Sequence, residues 1–177
     1  MIFEEKTLSS EYIYEGKILK LRKDRVTVPE GESYREIIEH NGGSVIVPVD
    51  EDGNIIMIRQ FRKPVERVML EAPAGKIDPG EDPFETAKRE LREETGITAE
   101  NIVHLTDILP TVGYSGETLY LYMATGLSYG ERDLDENEAI DVVKMPFEEV
   151  CDKIYSGEIM DAKTVVAVLF AKKLLKK

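Results

Sequence analysis

The sequence predicts an α/β (α+β) fold, in which helices flank a mixed β-sheet as an α/β/α sandwich and a small antiparallel β element precedes it. Segments typical of strands recur along most of the chain, and three segments carry apolar residues at helical spacing. Asn41-Gly42-Gly43 is a turn or hinge sequence that ends the first group of strands. We therefore predict an N-terminal β element at residues 1–42 and a main domain at residues 43–177.

The strands of the first half are predicted to form two hairpins. Their segments are rich in β-branched and aromatic residues and show alternating or continuous apolar patterns. The predicted strands are residues 17–28, 34–40, 44–49, 54–60 and 68–72. Turn sequences at 29–32 and 50–53 would join the first two strands and the next two strands as antiparallel pairs.

The clearest helix signal follows this region. Asp82 is a favoured N-cap residue, Pro83 suits the first helical position, and Gly96 suits the C-cap. Between them, apolar residues recur at helical spacing and predict a buried face. These residues are Phe84, Ala87 and Leu91.

The second half is predicted to add three strands and two helices. The predicted strands are residues 103–109, 118–124 and 140–144, and the predicted helices are residues 146–156 and 161–177. Residues 128–138 are acidic and lack periodicity, so we predict a loop there.

Carboxylates concentrate on one face of the predicted helix after Asp82. Glu90, Glu93 and Glu94 have i, i+3 and i+4 spacing, at which like charges repel. A hard divalent cation would reverse that repulsion, and Mg²⁺ or Mn²⁺ suits carboxylate and carbonyl oxygens. With two His and one Cys in the chain, a zinc cage has little support. The competing interpretation is a solvated acidic helix held by pairs such as Glu85 with Arg89.

Three further polar segments each allow two interpretations. The basic cluster in RQFRKPVER is either ordinary strand-edge charge or a phosphate contact, and we favour phosphate contact because Arg62 and its neighbours occur in an acidic chain. Residues 111–117 form either a turn or a loop whose backbone approaches a ligand. Residues 133–138 form either a solvated acidic loop or the source of a general base.

Composition limits the classes of partner and compartment. The net charge of −12 argues against a nucleic-acid or anionic-membrane surface. Cys151 is the single cysteine, which excludes an internal disulfide and favours a reducing, cytoplasmic location. The first ten residues do not have the pattern of a signal peptide.

The region between Gly75 and Ile97 matches the Nudix box, Gly-x5-Glu-x7-Arg-Glu-U-x-Glu-Glu-x-Gly-U, where U is aliphatic. Every defined position is filled, by Gly75, Glu81, Arg89, Glu90, Leu91, Glu93, Glu94, Gly96 and Ile97. The chain therefore resembles a Nudix hydrolase, which implies a Nudix-type sandwich. Segments across nearly the whole chain also resemble the ADP-ribose pyrophosphatases of that superfamily. They are Arg35-Glu36, RQFRKPVER, Glu71-Ala72-Pro73-Ala74-Gly75, the loop ending at Glu117, Asp135–Glu138 and Asp161-Ala162-Lys163-Thr164.

The resemblance implies roles in catalysis. The Ala74 carbonyl, Glu90 and Glu94 would bind two to three Mg²⁺ (or Mn²⁺) ions, with Glu93 close by. Glu138 would approach a metal in a closed state. Glu136 is the leading general base, unless a box glutamate takes that part, and Arg89 would orient the box glutamates.

The resemblance also implies substrate contacts. They would come from Arg35, Glu36, Arg62 and Lys76, with Gly113 and Glu117 at the ribose-phosphate end. Members of this group often form homodimers by exchanging an N-terminal β element, so Lys17 and Ile18 would border the adenine of the other subunit's site. The loop reads Thr111-Val112-Gly113 here, where the family commonly has Ser-Pro-Gly.

The implied reaction is hydrolysis of the pyrophosphate of ADP-ribose to AMP and ribose 5-phosphate. Two alternatives stay open. The first is a Nudix enzyme that acts on other nucleoside diphosphate sugars or on damaged nucleotides. The second is a module that binds ADP-ribose without cleaving it, although a complete set of box carboxylates argues against that role.

Overall fold

A computed structural model describes residues 2–134 and 139–175 of the chain. Its strands are β1 Thr7–Glu15, β2 Lys20–Val28, β3 Gly31–Glu39, β4 Gly43–Pro48, β5 Asn54–Arg62, β6 Arg67–Glu71, β7 Ala74–Lys76, β8 Ile97–Ile108, β9 Leu119–Tyr129 and β10 Ile140–Pro146. Its helices are α1 Pro83–Thr95, α2 Phe147–Tyr155 and α3 Ala162–Leu175, with a short 3₁₀ turn at Lys63–Val65. The predicted last residues of α3, Lys176 and Lys177, lie outside the described part.

The chain divides into two compact units. The first comprises the chain up to Gly42 together with Leu109–Thr118, and the second comprises Gly43–Ile108 and the chain from Leu119 onward. No helix in the described part of the chain is long and apolar enough to cross a membrane.

The first unit is built on an antiparallel sheet with the strand order β1-β2-β3. The segment Leu109–Thr118 joins this unit through the Ile38 N–H, which donates to the Tyr114 carbonyl at 2.7 Å. β1 was not predicted, because its nine residues, TLSSEYIYE, are all exposed and show no core-facing alternation. Pairing with β2 defines this strand, and that pairing is not visible in local sequence.

The second unit contains the mixed sheet that the sequence predicts. Its strand order is β7-β4-β9-β8, with β4 and β9 parallel and the other pairs antiparallel. Along β4, Val45 and Val47 pack in one apolar cluster with residues of α2 and α3, whereas Ile46 packs with Ala87 and Leu91 of α1. Helices therefore cover both faces of this sheet, which confirms the predicted α/β/α arrangement.

The predicted hairpin of residues 44–49 and 54–60 is wrong. The two strands exist, but β4 pairs with β7 and β9, and β5 pairs with β6 and β10 in a separate antiparallel sheet. A single bridge between Val49 and Ile55 is what remains of the expected pairing. All six residues of β4 are buried, as expected for a strand with neighbours on both edges, so its partners come from distant sequence.

The predicted strand boundaries differ most from the observed ones at β8 and β9. β8 begins at Ile97, directly after α1, and β9 continues to Tyr129, into the region predicted to be a loop. Exposed polar residues early in β8 and late in β9 hide the strand pattern there. The three-residue strand β7 was not predicted, because it is short and contains Gly75.

Candidate active site

The ends of α1 follow the signals in its sequence. The Asp82 carboxylate accepts a hydrogen bond from the Phe84 N–H at 2.8 Å, which satisfies one of the free donors of the first turn. Gly96 ends the helix with φ of 73°, in the left-handed region, and its N–H donates to the Arg92 carbonyl at 2.8 Å. Both predicted caps are confirmed.

Arg89 lies at the centre of the box carboxylates. Its Nε and Nη2 donate to the two oxygens of Glu81 at 2.9 and 3.0 Å. Its Nη1 donates to Glu90 at 2.7 Å and to Glu93 at 3.0 Å, and Nη2 also donates to the Lys76 carbonyl at 3.1 Å. One guanidinium therefore fixes three carboxylates and the end of β7.

These contacts set the charge of the cluster. The hydrogen bond from Arg89 lowers the pKa of Glu81 to about 2, and the same bond raises the pKa of Arg89. Both groups are therefore ionised at neutral pH. The alternative pairing of Glu85 with Arg89 is wrong, because Glu85 pairs with Lys88 at 2.8 Å on the exposed side of the helix.

Glu94 and Glu90 lie against the backbone of β7. Glu94 is 2% exposed, and its Oε2 accepts the Ala74 N–H at 2.9 Å. Glu90 passes so close to Gly75 that a Cβ at this position would lie 1.9 Å from Glu90 Oε1. Gly75 is thus required for Glu90 to occupy this position.

The donor set beside β7 fits a hard divalent cation. Two carboxylates approach consecutive backbone residues of one strand, so acidic and carbonyl oxygens are available within a small region. Within residues 2–134 and 139–175, no three His, Cys, Asp or Glu side chains converge closely enough to form a complete ligand set. Arg89 donates to one oxygen of Glu90, which helps to hold this carboxylate beside β7.

Arg62, a predicted substrate contact, forms a two-pronged ion pair. Its Nε and Nη2 each donate to Glu71 at 2.8 Å. Glu71 is 1% exposed, and it also accepts a hydrogen bond from Lys163 at the start of α3. The sequence did not predict Glu71 as the partner of Arg62 and Lys163. Arg62 precedes Glu71 by nine residues and Lys163 follows it by 92 residues, so no local pattern connects the three side chains.

The other predicted substrate contacts in the first unit are also located. Arg35 is on β3, where it pairs with Glu5, and Glu36 lies opposite Lys23 in the sheet register. Lys17 and Ile18 form the bend between β1 and β2. Gly113 and Glu117 lie in Leu109–Thr118, with the Glu117 carboxylate 3.3 Å from His40 Nδ1. Arg89, Lys76 and the predicted metal ligands of the box belong to the second unit.

The acidic segment after β9 is joined to the C-terminal end of α1. Gly130 N–H donates to the Gly96 carbonyl at 2.7 Å, and Asp133 N–H donates to the Glu93 carbonyl at 3.2 Å. Further along, Arg132 Nη1 donates to the Ile140 carbonyl at 3.0 Å. The predicted base Glu136 and the predicted ligand Glu138 lie outside the described residues.

Two protein-family models match the chain. The NUDIX domain matches residues 40–166, and the nucleoside diphosphate sugar hydrolase N-terminal domain matches residues 5–35. The chain is 41% identical to an ADP-ribose pyrophosphatase of Bacillus subtilis over 94% of this chain and 92% of that protein. It is also 41% identical to a methanol dehydrogenase activator of Bacillus methanolicus, over 96% and 93% of the two chains.

Two further matches extend the comparison. An ADP-ribose pyrophosphatase of Mycobacterium tuberculosis is 39% identical, over 92% of this chain and 81% of that protein. The crystal structure of an ADP compounds hydrolase matches with a TM-score of 0.87 at 23% identity, covering 99% of this chain and 96% of that chain. This structural likeness confirms the fold class.

The mixed sheet and the capped helix α1 carry a complete Nudix box, whose carboxylates Arg89 orders. The chain belongs to the Nudix family, since the family's domain covers most of its length. It is a pyrophosphohydrolase of that family, and such enzymes generally use a divalent metal ion.

Proposed function

We propose that this enzyme hydrolyses the pyrophosphate bond of ADP-ribose to AMP and ribose 5-phosphate, with Mg²⁺ or Mn²⁺ as the cofactor. The observation that carries the proposal is the complete Nudix box, in which Arg89 orders Glu81, Glu90 and Glu93. Identity of about two fifths to two ADP-ribose pyrophosphatases, over nearly the whole chain, supports the choice of substrate.

The box residues would bind the ions. Glu90, Glu94 and the Ala74 carbonyl would hold two to three of them, with Glu138 as an additional ligand. When bound, divalent ions neutralise charge on the phosphates and lower the pKa of a coordinated water. Arg89 keeps the side chain of Glu90 beside β7, so the ligand oxygens are ordered before an ion arrives.

A carboxylate would remove the proton of the attacking water. Glu136 is the proposed base, and Glu93 is the alternative within the box, where Arg89 holds it at 3.0 Å. The two assignments predict different outcomes for Glu136→Gln. Loss of the acidic limb of the pH-rate profile supports Glu136, whereas an unchanged profile supports Glu93.

The proposed substrate contacts are those that the family resemblance implies. Arg62 and Lys76 would bind phosphate oxygens because they carry positive charge beside the box. The remaining contacts proposed within the chain are Arg35, Glu36, Gly113 and Glu117. In a homodimer, Lys17 and Ile18 of the partner subunit would border the adenine.

An exposed apolar surface on the first unit supports the homodimer. β1 is exposed along its whole length, and it carries Leu8, Tyr12, Ile13 and Tyr14. We expect sedimentation equilibrium to give twice the chain mass, and Ile13→Glu with Tyr14→Glu to shift the mass toward the monomer. A monomer at all concentrations for the unsubstituted chain contradicts the proposal.

The buried single cysteine fits a cytoplasmic location.

A substrate panel tests the proposed activity. ADP-ribose, ADP-glucose, GDP-mannose and an oxidised nucleoside triphosphate are each incubated with enzyme and Mg²⁺, and the products are separated by chromatography. Highest kcat/KM on ADP-ribose, with AMP and ribose 5-phosphate in equal amounts, supports the proposal. Comparable kcat/KM values on several sugar nucleotides would instead favour a broader hydrolase, in line with the match to the nucleoside diphosphate sugar hydrolase N-terminal domain.

A further inference from the structure

Glu71 is a buried carboxylate shared by two cations of the second unit. Its Oε1 accepts a hydrogen bond from Arg62 Nε, and its Oε2 accepts hydrogen bonds from Arg62 Nη2 and from Lys163 Nζ. Burying a carboxylate is costly unless charges and hydrogen bonds compensate it. Burial acts to raise the pKa of Glu71, but Arg62 and Lys163 together outweigh it and bring the pKa below its ordinary value. Glu71 is therefore an anion in the folded protein.

A second set of hydrogen bonds connects this ion pair with the start of α3. Lys163 Nζ is 2.8 Å from Asp161 Oδ2, and the same oxygen accepts the Thr164 hydroxyl at 2.6 Å and the Thr164 N–H at 3.1 Å. The Thr164 oxygen in turn accepts the Ala72 N–H at 2.9 Å. Ala72 lies two residues before Ala74, and the Ala74 N–H donates to Glu94. The network thus ends two residues before β7, the strand that carries a predicted metal ligand.

The bonds to Glu71 fix the orientation of the Arg62 guanidinium. They use the edge formed by Nε and Nη2, so Nη1 projects from the other edge. The Arg62 side chain is 37% exposed although its partner is buried. Its hydrogen bond to Glu71 is the largest cause that raises the pKa of Arg62, and the charge of Glu94 also contributes, so the guanidinium lies within electrostatic range of the box.

Charge balance explains why a lysine is present. Arg62 and Lys163 are two cations, and Glu71 and Asp161 are two anions, so the four side chains sum to zero. Without Lys163, the carboxylates of Glu71 and Asp161 would have Arg62 as their single cationic partner within this group. Their combined negative charge would then offset more of the positive potential that Arg62 presents to a ligand.

We propose that Glu71 and Lys163 are positioning residues that hold the Nη1 edge of Arg62 toward a phosphate oxygen of the substrate. This inference rests on the proposed function, since it assigns a partner to Arg62 in the binding of a diphosphate. Lys163 does not touch the substrate in this arrangement, and it acts through Glu71. A purely structural role, in which the network only attaches α3 to β6, is the competing explanation.

The test compares Lys163→Met with Lys173→Met. Lys173 lies on the same helix and is exposed, so its substitution makes the same charge change outside the network. The readouts are Tm, kcat and KM for ADP-ribose, and the Kd of its non-hydrolysable α,β-methylene analogue. We expect Lys163→Met to raise KM and Kd by about ten- to a hundredfold, the size of effect found when a partner that orients a metal ligand is removed. We expect kcat to change much less and Lys173→Met to resemble the unsubstituted enzyme.

A double-substitution cycle separates positioning from structural support. In an Arg62→Met background, Lys163→Met should leave KM and Kd unchanged, because the residue through which it acts is gone. Glu71→Gln should raise KM in the same direction as Lys163→Met. Equal effects of Lys163→Met on KM with and without Arg62, or a lower Tm with normal KM and Kd, overturn the inference.

The proposed function fails in a different way. An unsubstituted enzyme that neither binds the analogue nor releases AMP from ADP-ribose contradicts the substrate assignment, and this inference falls with it. An active unsubstituted enzyme with an unaffected Lys163→Met variant contradicts only the positioning role.

Discussion

At Gly75, the absence of a side chain allows Glu90 to lie against the backbone of β7. A methyl group there would meet the Glu90 carboxylate at 1.9 to 2.4 Å, which is closer than atoms can approach. Since the obstructed group is the end of a flexible side chain, Glu90 would rotate away and the fold would survive. We expect Gly75→Ala to keep nearly the same Tm while the Mg²⁺ concentration for half-maximal activity rises about tenfold or more, as expected when a metal ligand is misplaced.

A combined variant shows whether Glu90 is the cause. In a Glu90→Ala background the space beside Gly75 is open, so adding Gly75→Ala should produce no further loss of Mg²⁺ response. An equal loss in both backgrounds would mean that the methyl group disturbs β7 itself rather than the position of Glu90.

Glu94→Gln separates the charge of Glu94 from its structural hydrogen bond. The amide oxygen of Gln can still accept the Ala74 N–H, so thermal unfolding should change little. Loss of one anionic oxygen should reduce kcat by roughly 100-fold or more, the scale found when one group that stabilises developing charge is removed. Steady-state kinetics at saturating Mg²⁺ checks this, and near-normal turnover would refute the assignment of Glu94 as a metal ligand.

Among the elements, the C-terminal end of α1 contributes to both the fold and the site. Gly96 has φ of 73°, and a Cβ there would lie 2.6 Å from the Gly130 carbonyl, a backbone atom that cannot rotate away. Gly157 has φ of 78° and nothing within 4 Å of its Cβ position. Gly157→Ala therefore measures the cost of the left-handed backbone alone, which is about 1–2 kcal/mol.

We expect Gly96→Ala to lower the free energy of unfolding by clearly more than Gly157→Ala in urea titrations. It should also reduce kcat, because the contact of Gly130 with Gly96 joins the acidic segment to the helix of the box. Gly157→Ala should retain full activity. Equal losses of stability in the two variants would show that the Gly96–Gly130 contact has little influence on the fold.

Elements whose signals are local could be predicted from the sequence, and elements defined by distant partners could not. Asp82 and Gly96 each act within one helical turn, so both caps of α1 are confirmed. The pairing of β4 with β9 joins segments more than 70 residues apart, and nothing in either segment specifies it. The wrong hairpin arose because two buried strands with a turn between them also occur where a chain passes from one sheet to another.

The same distinction holds for the candidate site. The helical spacing of Glu90 and Glu94 places them on one face, and the structure adds that both lie against β7. The pairing of Lys163 with Glu71, the partner of Arg62, depends on the approach of α3 to β6, which has no local signal. The roles assigned to Glu136 and Glu138 depend on the family resemblance alone.

Across the whole molecule, many carboxylates gain partners within the fold, and this affects how the protein responds to acid. Asp50, which lies between β4 and β5 in the second unit, is an example. Asp50 Oδ1 accepts the N–H groups of Asp52 and Asn54 at 3.0 and 2.8 Å, and Oδ2 lies 2.5 Å from Lys144 Nζ on β10. Burial acts to raise the pKa of Asp50, but hydrogen bonds from Lys144 and Asn54 outweigh it and lower the pKa to about 2.

A depressed pKa of this kind stabilises the folded protein above the pKa of the unfolded chain. For Asp50 the stabilisation should be complete above about pH 5 and should disappear as the pH falls from about 4 through 2. We expect Asp50→Asn to lower the free energy of unfolding by about 1–2 kcal/mol at pH 7, which is the linkage value reduced for the exposure of Lys144. The difference from the unsubstituted protein should shrink steadily as the pH falls to 2, where about half of the Asp50 side chains are protonated. Chemical unfolding monitored by circular dichroism at pH 7, 5, 4, 3 and 2 measures this.

Lys144→Met should reproduce the same convergence because it removes the other half of the pair, and a difference that stays constant from pH 5 to pH 2 would contradict the coupling.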